Sequence, residues 1–310
     1  MNNKFIIISF YQFKKIKNTL KLQKVLKEFC QFNKLKGTIL IANEGINFNI
    51  GGIDNSIREF KNKLDLLNFD LSNLKYSYSS FMPFYRLKVK IKKEIITFSK
   101  KKLNVEKDTA QFVHPTNWNK IINDKNIFKI DIRNNYETKI GTFKNSKIIN
   151  INNFTELKKY INKNLIDMKK NKIAMFCTGG IRCEKVSSYM INIGFKNLFQ
   201  LKGGILKYLE TVPKKKSTWN GECFIFDNRV SVKNEMKKGS YDLCHGCRMP
   251  LNFKNKISKK FEKGVSCEFC YDKLAEKKKD ALRQRNKQIQ IAKKRGLYNP
   301  YIRMTTSNYN

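Results

Sequence analysis

The sequence predicts an α/β protein with two domains and a small metal-binding module after them. Strand and helix patterns alternate over residues 1–100 in the order βαββαβ, which is typical of a ferredoxin-like α+β domain. Strand and helix patterns alternate again over residues 118–211, where a loop with a cysteine lies between a buried strand and a helix, as in an α/β domain with a parallel sheet. Two Cys-x-x-Cys pairs then fall within residues 212–272.

Hydrophobic periodicity defines the elements of the first domain. Apolar runs predict strands at Phe5–Phe10, Gly37–Ala42, Ile46–Ile50 and Leu74–Tyr78, and a hairpin of Leu87–Ile91 with Glu94–Phe98. Helical spacing predicts one helix over Thr19–Phe32 and another from Asp54 to Leu67, with Asp54 as its cap.

The second domain is expected to follow a linker at residues 101–117, which contains His114-Pro115. Its predicted strands lie near Ile127–Ile130, Ile148–Asn150, Ile173–Phe176 and Leu198–Leu201. Lys202-Gly203-Gly204 then turns into a last helix that runs through Leu209.

The most informative segment of this domain is FCTGGIRCEK, residues 176–185. Cys177 follows the buried strand, and Gly179 and Gly180 allow a tight loop before a helix that Gly194 ends. A loop between a strand and a helix N-terminus offers a nest of backbone amides that binds anions.

This arrangement predicts a reactive thiol. The amide nest should lower the pKa of Cys177, and Arg182 and Lys185 add positive charge, so Cys177 is expected to be a nucleophile at neutral pH. A purely structural cysteine would not need a Gly-Gly pair and an arginine beside it. Cys183, in the first helical turn, is expected to pack in the core, although it could also resolve an oxidised Cys177.

The two Cys-x-x-Cys pairs predict a metal site. They comprise Cys244 with Cys247 and Cys267 with Cys270, and nineteen residues separate the pairs. Four thiolates at this spacing can surround Zn²⁺ tetrahedrally, and a closed site of this kind is structural. A redox-active pair of dithiols is the alternative.

Residues 273–310 form a basic tail that has no apolar core of its own. The pattern predicts a helix up to Arg295, which is either a solvated helix or a clamp on an RNA backbone. Tyr298, Tyr301 and Tyr309 would add weak stacking on bases.

The formal net charge is +39, from 64 Lys and Arg against 25 Asp and Glu. Lys, Asn and Ile are used heavily, a bias typical of a very AT-rich genome, so much of the excess lysine is expected on solvated faces. Such a charge attracts polyanions, but it predicts a nucleic-acid partner only where basic residues cluster.

The sequence also predicts a compartment. No apolar run reaches the roughly 18–20 residues that cross a membrane. The apolar start lacks a small-residue cleavage site and is better explained as a first strand than as a signal peptide. The grouping of the eight cysteines favours reduced thiols and a metal, and hence a cytoplasmic protein with no membrane contact.

The cysteine loop resembles the active-site loop of rhodanese domains. Six residues from Cys177 to Arg182 close a cradle that suits one atom larger than oxygen on the sulfur, or a thiolate attacking a flat ring. Asp131-Ile132-Arg133-Asn134 resembles the Asp-x-Arg that opens the same domain, and Tyr136-Glu137 continues the pattern. By itself, the loop would indicate a sulfurtransferase that carries a persulfide on Cys177.

The complete set of motifs resembles the bacterial tRNA uridine hydroxylase family, TrhO, which comprises YceA-like, rhodanese-domain-containing proteins. The resemblance rests on GTILIANEGINFNIGG at residues 37–52, the cysteine loop, the segment from Trp219 to Val230 and the two Cys-x-x-Cys pairs. It covers roughly residues 1–275, and it departs mildly at Ile-Asn-Phe, where many relatives have Ile-Asn-Gly.

This resemblance implies hydroxylation of carbon 5 of the wobble uridine in tRNA, giving 5-hydroxyuridine. It implies molecular oxygen as co-substrate and tRNA as partner, with structural Zn²⁺ in the cysteine site. No Gly-rich dinucleotide fingerprint or iron triad is visible in the sequence, so neither flavin nor haem is predicted, and no obligate protein partner is evident.

The catalytic residues are expected to be Cys177 and Arg182. The thiolate would attack carbon 6 of uracil while Arg182 and the loop amides stabilise the developing charge, and oxygen would then capture carbon 5. In a rival order the sulfur is oxidised first and carries the oxygen. The residues expected to support the loop or the substrate are Thr178, Gly179, Gly180, Ile181, Cys183, Lys185, Asp131, Arg133, Glu44 and Asn47.

Several of these roles stay open at this point. Glu44 and Asn47 either face the RNA or the loop, or merely form a turn. Trp219, Asp227 and Arg229 either build the substrate pocket or join the domains. A non-catalytic zinc- and RNA-binding protein with a relic thiol is a third function class, but the intact loop argues against it. The N-terminal domain and the zinc module favour the hydroxylase over a bare sulfurtransferase, which needs neither.

Overall fold

The computed structural model describes residues 5–99 and 103–295. They form a five-stranded sheet with its helices, a second five-stranded sheet that is entirely parallel, and a carboxyl-terminal segment of short strand pairs that ends in a long helix. In this part of the chain, no helix combines the length and the hydrophobicity that a membrane span requires.

The first domain has the predicted ferredoxin-like arrangement. Its elements are β1 (Phe5–Phe13), α1 (Thr19–Phe32), β2 (Lys36–Ala42), β3 (Gly45–Gly52), α2 (Asp54–Leu66), β4 (Lys75–Ser79) and β5 (Leu87–Ile91). The strand order is β4-β1-β3-β2-β5, with β1 and β3 paired antiparallel at the centre. The two helices cover one face of the sheet, where Leu26, Phe60 and Leu64 pack against strand residues such as Ile39 and Phe48.

Two local predictions in this domain are wrong. Asp54 is the first residue of α2 rather than its cap, and its carboxylate pairs with Arg58 at 2.8 Å. The expected hairpin partner of β5 at 94–98 is not a strand, and β5 instead pairs in parallel with β2. The reason is that the backbone amide and carbonyl of Ile95 are bound by side chains of the first domain, so they cannot join a ladder.

The second domain is a parallel sheet with helices on both faces. Its elements are β6 (Gln111–Val113), α3 (Pro115–Asn123), β7 (Ile127–Asp131), α4 (Asn135–Thr138), β8 (Gly141–Phe143), β9 (Lys147–Ile148), α5 (Leu157–Asn164), β10 (Lys172–Phe176), α6 (Ile181–Asn192), β11 (Asn197–Leu201) and α7 (Gly204–Thr211). The strand order is β6-β11-β10-β7-β9. Ile173 and Met175 of β10 enter one core, while Ala174 and Phe176 enter the other. The central strand is therefore buried on both faces, as its continuous apolar run predicts.

The segment expected to be a linker partly belongs to this domain. Residues 111–113 form the edge strand β6, paired in parallel with β11, and Pro115 opens α3. His114 is the N-cap of that helix, where its ring accepts from the amide of Thr116. Proline is favoured in the first helical turn because its missing N–H would be unpaired there anyway.

The carboxyl-terminal segment returns to the second domain before it forms the cysteine module. Its elements are β12 (Trp219–Gly221), β13 (Cys223–Phe224), β14 (Ser231–Val232), β15 (Asp242–Leu243), β16 (Pro250–Leu251), α8 (Phe253–Lys256) and α9 (Glu276–Lys294). Strand β12 pairs antiparallel with β8 of the second domain. Short 3₁₀ helices lie at Leu71–Asn73, Phe154–Glu156, Ile166–Met168, Lys214–Lys216, Asn234–Met236 and Tyr271–Lys273. Tyr298, Tyr301 and Tyr309, predicted to stack on bases, lie outside the described residues.

Candidate active site

The cysteine loop connects the end of β10 to the start of α6. Cys177 follows the strand directly, and Gly180, with a φ of 106°, turns the backbone so that its amide donates to Cys177 Sγ at 3.2 Å. A positive φ of this kind strains any residue with a side chain, which explains glycine at this position. Ile181 is the half-buried first residue of the helix.

The Cys177 thiol is held as a thiolate at neutral pH. Burial alone would raise its pKa, but a hydrogen bond from the Cys183 thiol, the charge of Arg182 and the amides of Cys183 and Gly180 outweigh burial and lower the pKa to about 5. Cys183 is the donor in this pair, since burial and the neighbouring thiolate raise its own pKa well above the usual range. Cys183 thus packs in the core and also stabilises the anion.

A second helix N-terminus supports the loop from below. The amides of Ile205 and Leu206, in the first turn of α7, donate to the carbonyls of Cys177 and Thr178 at 3.0 and 3.1 Å. A Cβ atom on Gly204 would lie only 2.6 Å from the Thr178 carbonyl oxygen, so the close approach of loop and helix requires glycine there.

Arg182 acts on the thiolate through its charge, because both of its terminal nitrogens donate hydrogen bonds elsewhere. Its guanidinium binds both carboxylate oxygens of Glu137 at 2.6 and 2.7 Å, and it donates to Thr178 Oγ1 at 3.1 Å. Thr178 Oγ1 in turn donates to Glu137 at 3.0 Å. Glu137 is fully buried, and its pKa is lowered because the Arg182 charge outweighs desolvation. The Tyr136-Glu137 pattern marks the domain in the sequence, but nothing in the pattern connects Glu137 to Arg182.

Asp131 and Arg133 form a fully buried pair beneath the loop. The Arg133 guanidinium binds Asp131 at 2.9 and 2.6 Å and the Gly141 carbonyl at 2.6 Å, and it lies 5.2 Å over the ring of Trp219. Asp131 is in register with Phe176, the residue before the cysteine. The pair therefore fixes the strand end from which the loop starts. Hydrogen bonds to each other, to the Gly141 carbonyl and to Thr142 engage the side chains of the pair.

Lys185 does not supply free positive charge to the thiol loop. Its buried ammonium pairs with Glu44 and with Glu94, the latter at 3.0 Å. Glu44 also accepts from the Ile95 amide at 2.9 Å, and Asn47 donates to the Ile95 carbonyl at 3.2 Å. The Glu-Gly-Ile-Asn turn therefore faces the helix that follows the thiol loop and joins the two domains through Lys185.

The first domain also brings two unpredicted side chains to the thiol loop. The Tyr11 hydroxyl donates to Glu184 of α6 at 2.5 Å, and it would lie 2.6 Å from a Cβ on Gly180. The Lys75 ammonium lies 5.4 Å over the Tyr11 ring. Because 173 positions separate Tyr11 from Glu184, sequence patterning gave no signal of this contact.

Three groups around the thiolate have displaced pKa values. Burial raises the pKa of Glu184 to about 7, although the Tyr11 hydrogen bond and the Lys75 charge oppose it. Burial lowers the pKa of Lys75 to about 8, against the attraction of Cys177 and Glu184. Burial and Glu184 raise the pKa of Tyr11 well above its usual range. The pKa values of Glu184 and Lys75 thus move towards neutrality, and such displaced groups beside a nucleophile are typical of catalytic sites.

The thiol is enclosed, and the loop is open beside Gly179. Cys177 has no exposed surface. A Cβ on the half-buried Gly179 would meet no atom within 4 Å, so free space adjoins the loop at this position. A flat ring approaching the cradle would have room at this position.

Asp227 and Arg229 join the domains. Arg229 pairs with Asp227 at 2.5 Å and donates to Ser77 Oγ at 2.9 Å, on the edge strand β4 of the first domain. Trp219 instead belongs to the core of the second domain, where it stacks on Arg133.

The four cysteines of the carboxyl-terminal module form a candidate metal centre. Their Sγ atoms all lie within 4.8 Å of one another. Cys244–Cys270 and Cys267–Cys270 are 3.8 Å apart, and Cys247–Cys267 are 3.7 Å apart. Four sulfurs placed tetrahedrally about 2.3 Å from Zn²⁺ would be separated by about 3.8 Å. The cluster can therefore hold a metal ion and is compatible with structural zinc.

Known proteins resemble this chain over almost its whole length. An acylphosphatase-like domain model, UPF0176, matches residues 5–95, and a rhodanese-like domain model matches residues 115–211. The tRNA uridine(34) hydroxylase of Pelagibacter ubique is 46% identical over 297 residues, covering 94% of this chain and 96% of the relative. The protein of the same name from Bartonella quintana is 44% identical over 96% of this chain and 99% of its own length. The chain belongs to the tRNA uridine(34) hydroxylase family.

Proposed function

We propose that this chain hydroxylates carbon 5 of the wobble uridine in tRNA and yields 5-hydroxyuridine. The observation that carries the proposal is the Cys177 thiolate, set in a six-residue cradle with open space beside Gly179. A thiolate adds readily to carbon 6 of uracil, and a flat pyrimidine fits the open side of the cradle. The near-full-length relatives named for this activity support the same conclusion.

The reaction begins at Cys177 Sγ. The thiolate forms a bond to carbon 6, and the electron pair of the 5,6 double bond moves to carbon 5 and the carbonyl oxygen at carbon 4. The amides of Gly180 and Cys183 and the charge of Arg182 stabilise the thiolate before it attacks carbon 6. They stabilise it again when it leaves. Arg182 is held by Glu137 throughout, so it is already oriented when the substrate binds.

Oxygen then reacts at the electron-rich carbon 5. One oxygen atom becomes the new hydroxyl, and the other leaves as water, which takes two electrons and two protons from an external two-electron reductant. Loss of the proton on carbon 5 and departure of Cys177 restore the double bond. On this scheme the enzyme is an oxygen-dependent oxidoreductase.

Glu184 is the group best suited to accept the proton from carbon 5. A general base works best when its pKa lies near the working pH, and burial brings the pKa of Glu184 to about 7. Tyr11 holds the carboxylate with its hydroxyl, and Lys75 contributes charge from the same side. The first domain would thus complete the site that the second domain carries.

The rival order oxidises Cys177 before uridine reacts. One oxygen atom of O2 would convert the thiolate to a sulfenic acid, and the other would leave as water with two electrons from the external reductant. Cys183, which donates to the thiolate, is placed to displace water from the sulfenic acid and form a disulfide. A covalent Cys177–uridine adduct, trapped under anaerobic conditions, supports attack at carbon 6 first. A sulfenic acid that forms without RNA and is consumed by uridine supports the rival order.

The partner is tRNA, and structural zinc in the carboxyl-terminal module would be held by Cys244, Cys247, Cys267 and Cys270. A site closed by four thiolates leaves no position for substrate, so its contribution is to fold the module.

The test is mass spectrometry of tRNA nucleosides from cells that lack this gene and are complemented with wild type, Cys177→Ala or Cys30→Ala. Cys30 lies in the core of the first domain, so its variant controls for loss of a buried thiol. The proposal requires 5-hydroxyuridine derivatives with wild type and Cys30→Ala and none with Cys177→Ala. Normal product with Cys177→Ala contradicts both orders. Sulfur transfer to cyanide or thiols without RNA, with no nucleoside change, indicates a sulfurtransferase.

A further inference from the structure

A large cleft lies where the first domain, the cysteine module and α9 meet. It has a volume of about 670 Å³ and is lined by residues 83–86 and 88 of the first domain, residues 224–228, the first Cys-x-x-Cys knuckle and the 282–289 face of α9. Tyr136 lines its wall, and the next residue, Glu137, holds Arg182 of the thiol loop. The cleft therefore borders the candidate active site without including the thiol.

Cations from three separate parts of the chain converge in this cleft. Arg86 and Lys88 come from the first domain, Arg248 from the cysteine knuckle and Arg285 from α9. The pKa of Lys88 is lowered by burial and by the charges of Arg86, Lys90 and Arg248. Asp227 is the one carboxylate among the described residues of the lining, and Arg229 already pairs with it at 2.5 Å. Arg86, Lys88 and Arg248 form no salt bridge with a carboxylate of the described residues, so the fold holds these three like charges close together.

The use of arginine separates this cluster from the general lysine excess. Of the 64 basic residues, only ten are arginine. Three of them, Arg86, Arg248 and Arg285, line this one cleft. Arginine offers a rigid fork of donors that matches a phosphate and a flat face that stacks on bases, which lysine does not. In a chain dominated by lysine, arginines gathered in one cleft indicate a specific anion.

Aromatic side chains stand exposed among these cations. Phe226 and Tyr85 line the cleft with 55% and 54% of their surfaces exposed. Phe226 is held edge-on by Phe224, with 5.3 Å between ring centroids, so it presents a supported ring rather than a loose one. Grooves that combine cations with exposed aromatic rings are typical of single-stranded nucleic-acid sites, where phosphates meet the charges and bases stack on the rings.

We propose that this cleft binds a nucleotide of single-stranded RNA that flanks the target uridine, with its phosphate on Arg86 and Arg248 and its base on Phe226. The inference rests on the proposed function for the identity of the RNA. A phosphorylated peptide would use the cations but would leave the exposed rings unexplained, so RNA is the occupant that the cleft fits.

The test measures RNA affinity in the Cys177→Ala background, where turnover cannot consume the substrate. Fluorescence anisotropy with a labelled anticodon stem–loop compares Arg86→Ala and Phe226→Ala with two matched controls. Arg58→Ala removes an exposed arginine on α2, and Phe253→Ala removes an exposed phenylalanine on α8, and neither residue lines the cleft. Thermal melting and zinc content verify that each variant is folded.

We expect Arg86→Ala and Phe226→Ala each to raise the Kd at least about fivefold, since one stacked base or one phosphate contact is worth that much. The logarithm of the association constant falls linearly with the logarithm of the salt concentration. Arg86→Ala should make this slope less steep by about 0.7, the value for one phosphate contact on a single strand. Both controls should leave affinity and slope unchanged. The proposal is overturned if cleft and control variants bind alike. It is also overturned if Phe226→Ala binds the stem–loop as tightly as wild type does while Arg86→Ala lowers the affinity for duplex DNA, stem–loop and phosphopeptide by the same factor.

The two proposals fail separately. If wild type forms 5-hydroxyuridine and the cleft variants bind and turn over normally, the cleft assignment is wrong and the proposed function stands. If the cleft variants lose RNA affinity but wild type modifies no uridine, the cleft assignment stands and the hydroxylase function is wrong.

Discussion

The Tyr11 hydroxyl of the first domain donates a 2.5 Å hydrogen bond to Glu184, on the helix that follows the thiol loop of the second domain. The same oxygen would lie 2.6 Å from a Cβ on Gly180. The residue that orients the candidate base and closes over the loop thus comes from the other domain.

Tyr11→Phe should raise the pKa of Glu184 above about 7, because the lost hydrogen bond lowers that pKa. If Glu184 accepts the proton as its carboxylate, the acidic limb of the rate profile should shift to higher pH, with little change in KM for tRNA. Initial rates of 5-hydroxyuridine formation across pH measure this shift. Tyr78→Phe, at an exposed tyrosine of β4, is the control. An unshifted profile for Tyr11→Phe would remove Glu184 from the mechanism.

Cys183→Ala should raise the pKa of Cys177 above about 5, because a hydrogen bond that favours the thiolate is lost. Titration of the ultraviolet thiolate absorbance, with Cys177→Ala as the blank, measures the change, and Cys30→Ala should leave it unaltered. A Cys177 titration that is the same with and without the Cys183 thiol would contradict the assigned hydrogen bond.

The thiolate also links stability to pH. The folded pKa of Cys177 lies below the ordinary value of 9.0, so its contribution to stability is complete above pH 9 and declines as pH falls towards about 5. Chemical denaturation at several pH values should therefore show that Cys177→Ala loses this part of the pH dependence. If the free energy of unfolding changes with pH in the same way for wild type and Cys177→Ala, the thiolate does not contribute to stability.

Glu137→Gln should lower the free energy of unfolding by about 3–5 kcal/mol, because it leaves the buried Arg182 charge without its partner. Asp54→Asn breaks the exposed pair with Arg58 and should cost less than about 1 kcal/mol. Urea denaturation of both variants gives the comparison. Similar losses in the two would mean that Glu137 does not hold Arg182 as described.

Cys267→Ser should abolish metal binding and unfold the carboxyl-terminal module. Three of the four buried members of its apolar cluster, Cys244, Cys267 and Cys270, belong to the cysteine site itself, so little else holds it together. We expect one zinc ion per wild-type chain by elemental analysis, and protease sensitivity confined to the carboxyl-terminal segment in the variant. Cys30→Ser should keep its zinc. A protease-resistant, metal-free variant would contradict a structural role.

Local signals in the sequence predicted much of the fold and the centre of the site. The limits of α1 at Thr19 and Phe32 and the position of the thiol loop follow from hydrophobic spacing and glycine placement. The parallel pairing of β5 did not follow, because the choice between a hairpin and an edge strand depends on distant partners for residues 94–95.

The same limit applies to the side chains of the site. Tyr11, Lys75 and Glu137 carry no spacing signal that connects them to Cys177, since only the folded chain brings them together. The closeness of Lys185 to Cys177 in the sequence predicts that it adds charge to the thiol loop, yet the helix turns Lys185 towards Glu44 and Glu94. Proximity in the sequence does not determine the direction in which a side chain points.

The position of Lys185 bears on how far the rhodanese-like domain can be separated from the rest of the chain. Its ammonium is almost fully buried, and both of its carboxylate partners lie before residue 95. A fragment that begins at residue 103 would carry this lysine with no counter-charge, and it would also lack Tyr11 and Lys75. The rhodanese-like unit of this chain is therefore not a portable module. The two domains should melt as one cooperative unit, with a single calorimetric transition.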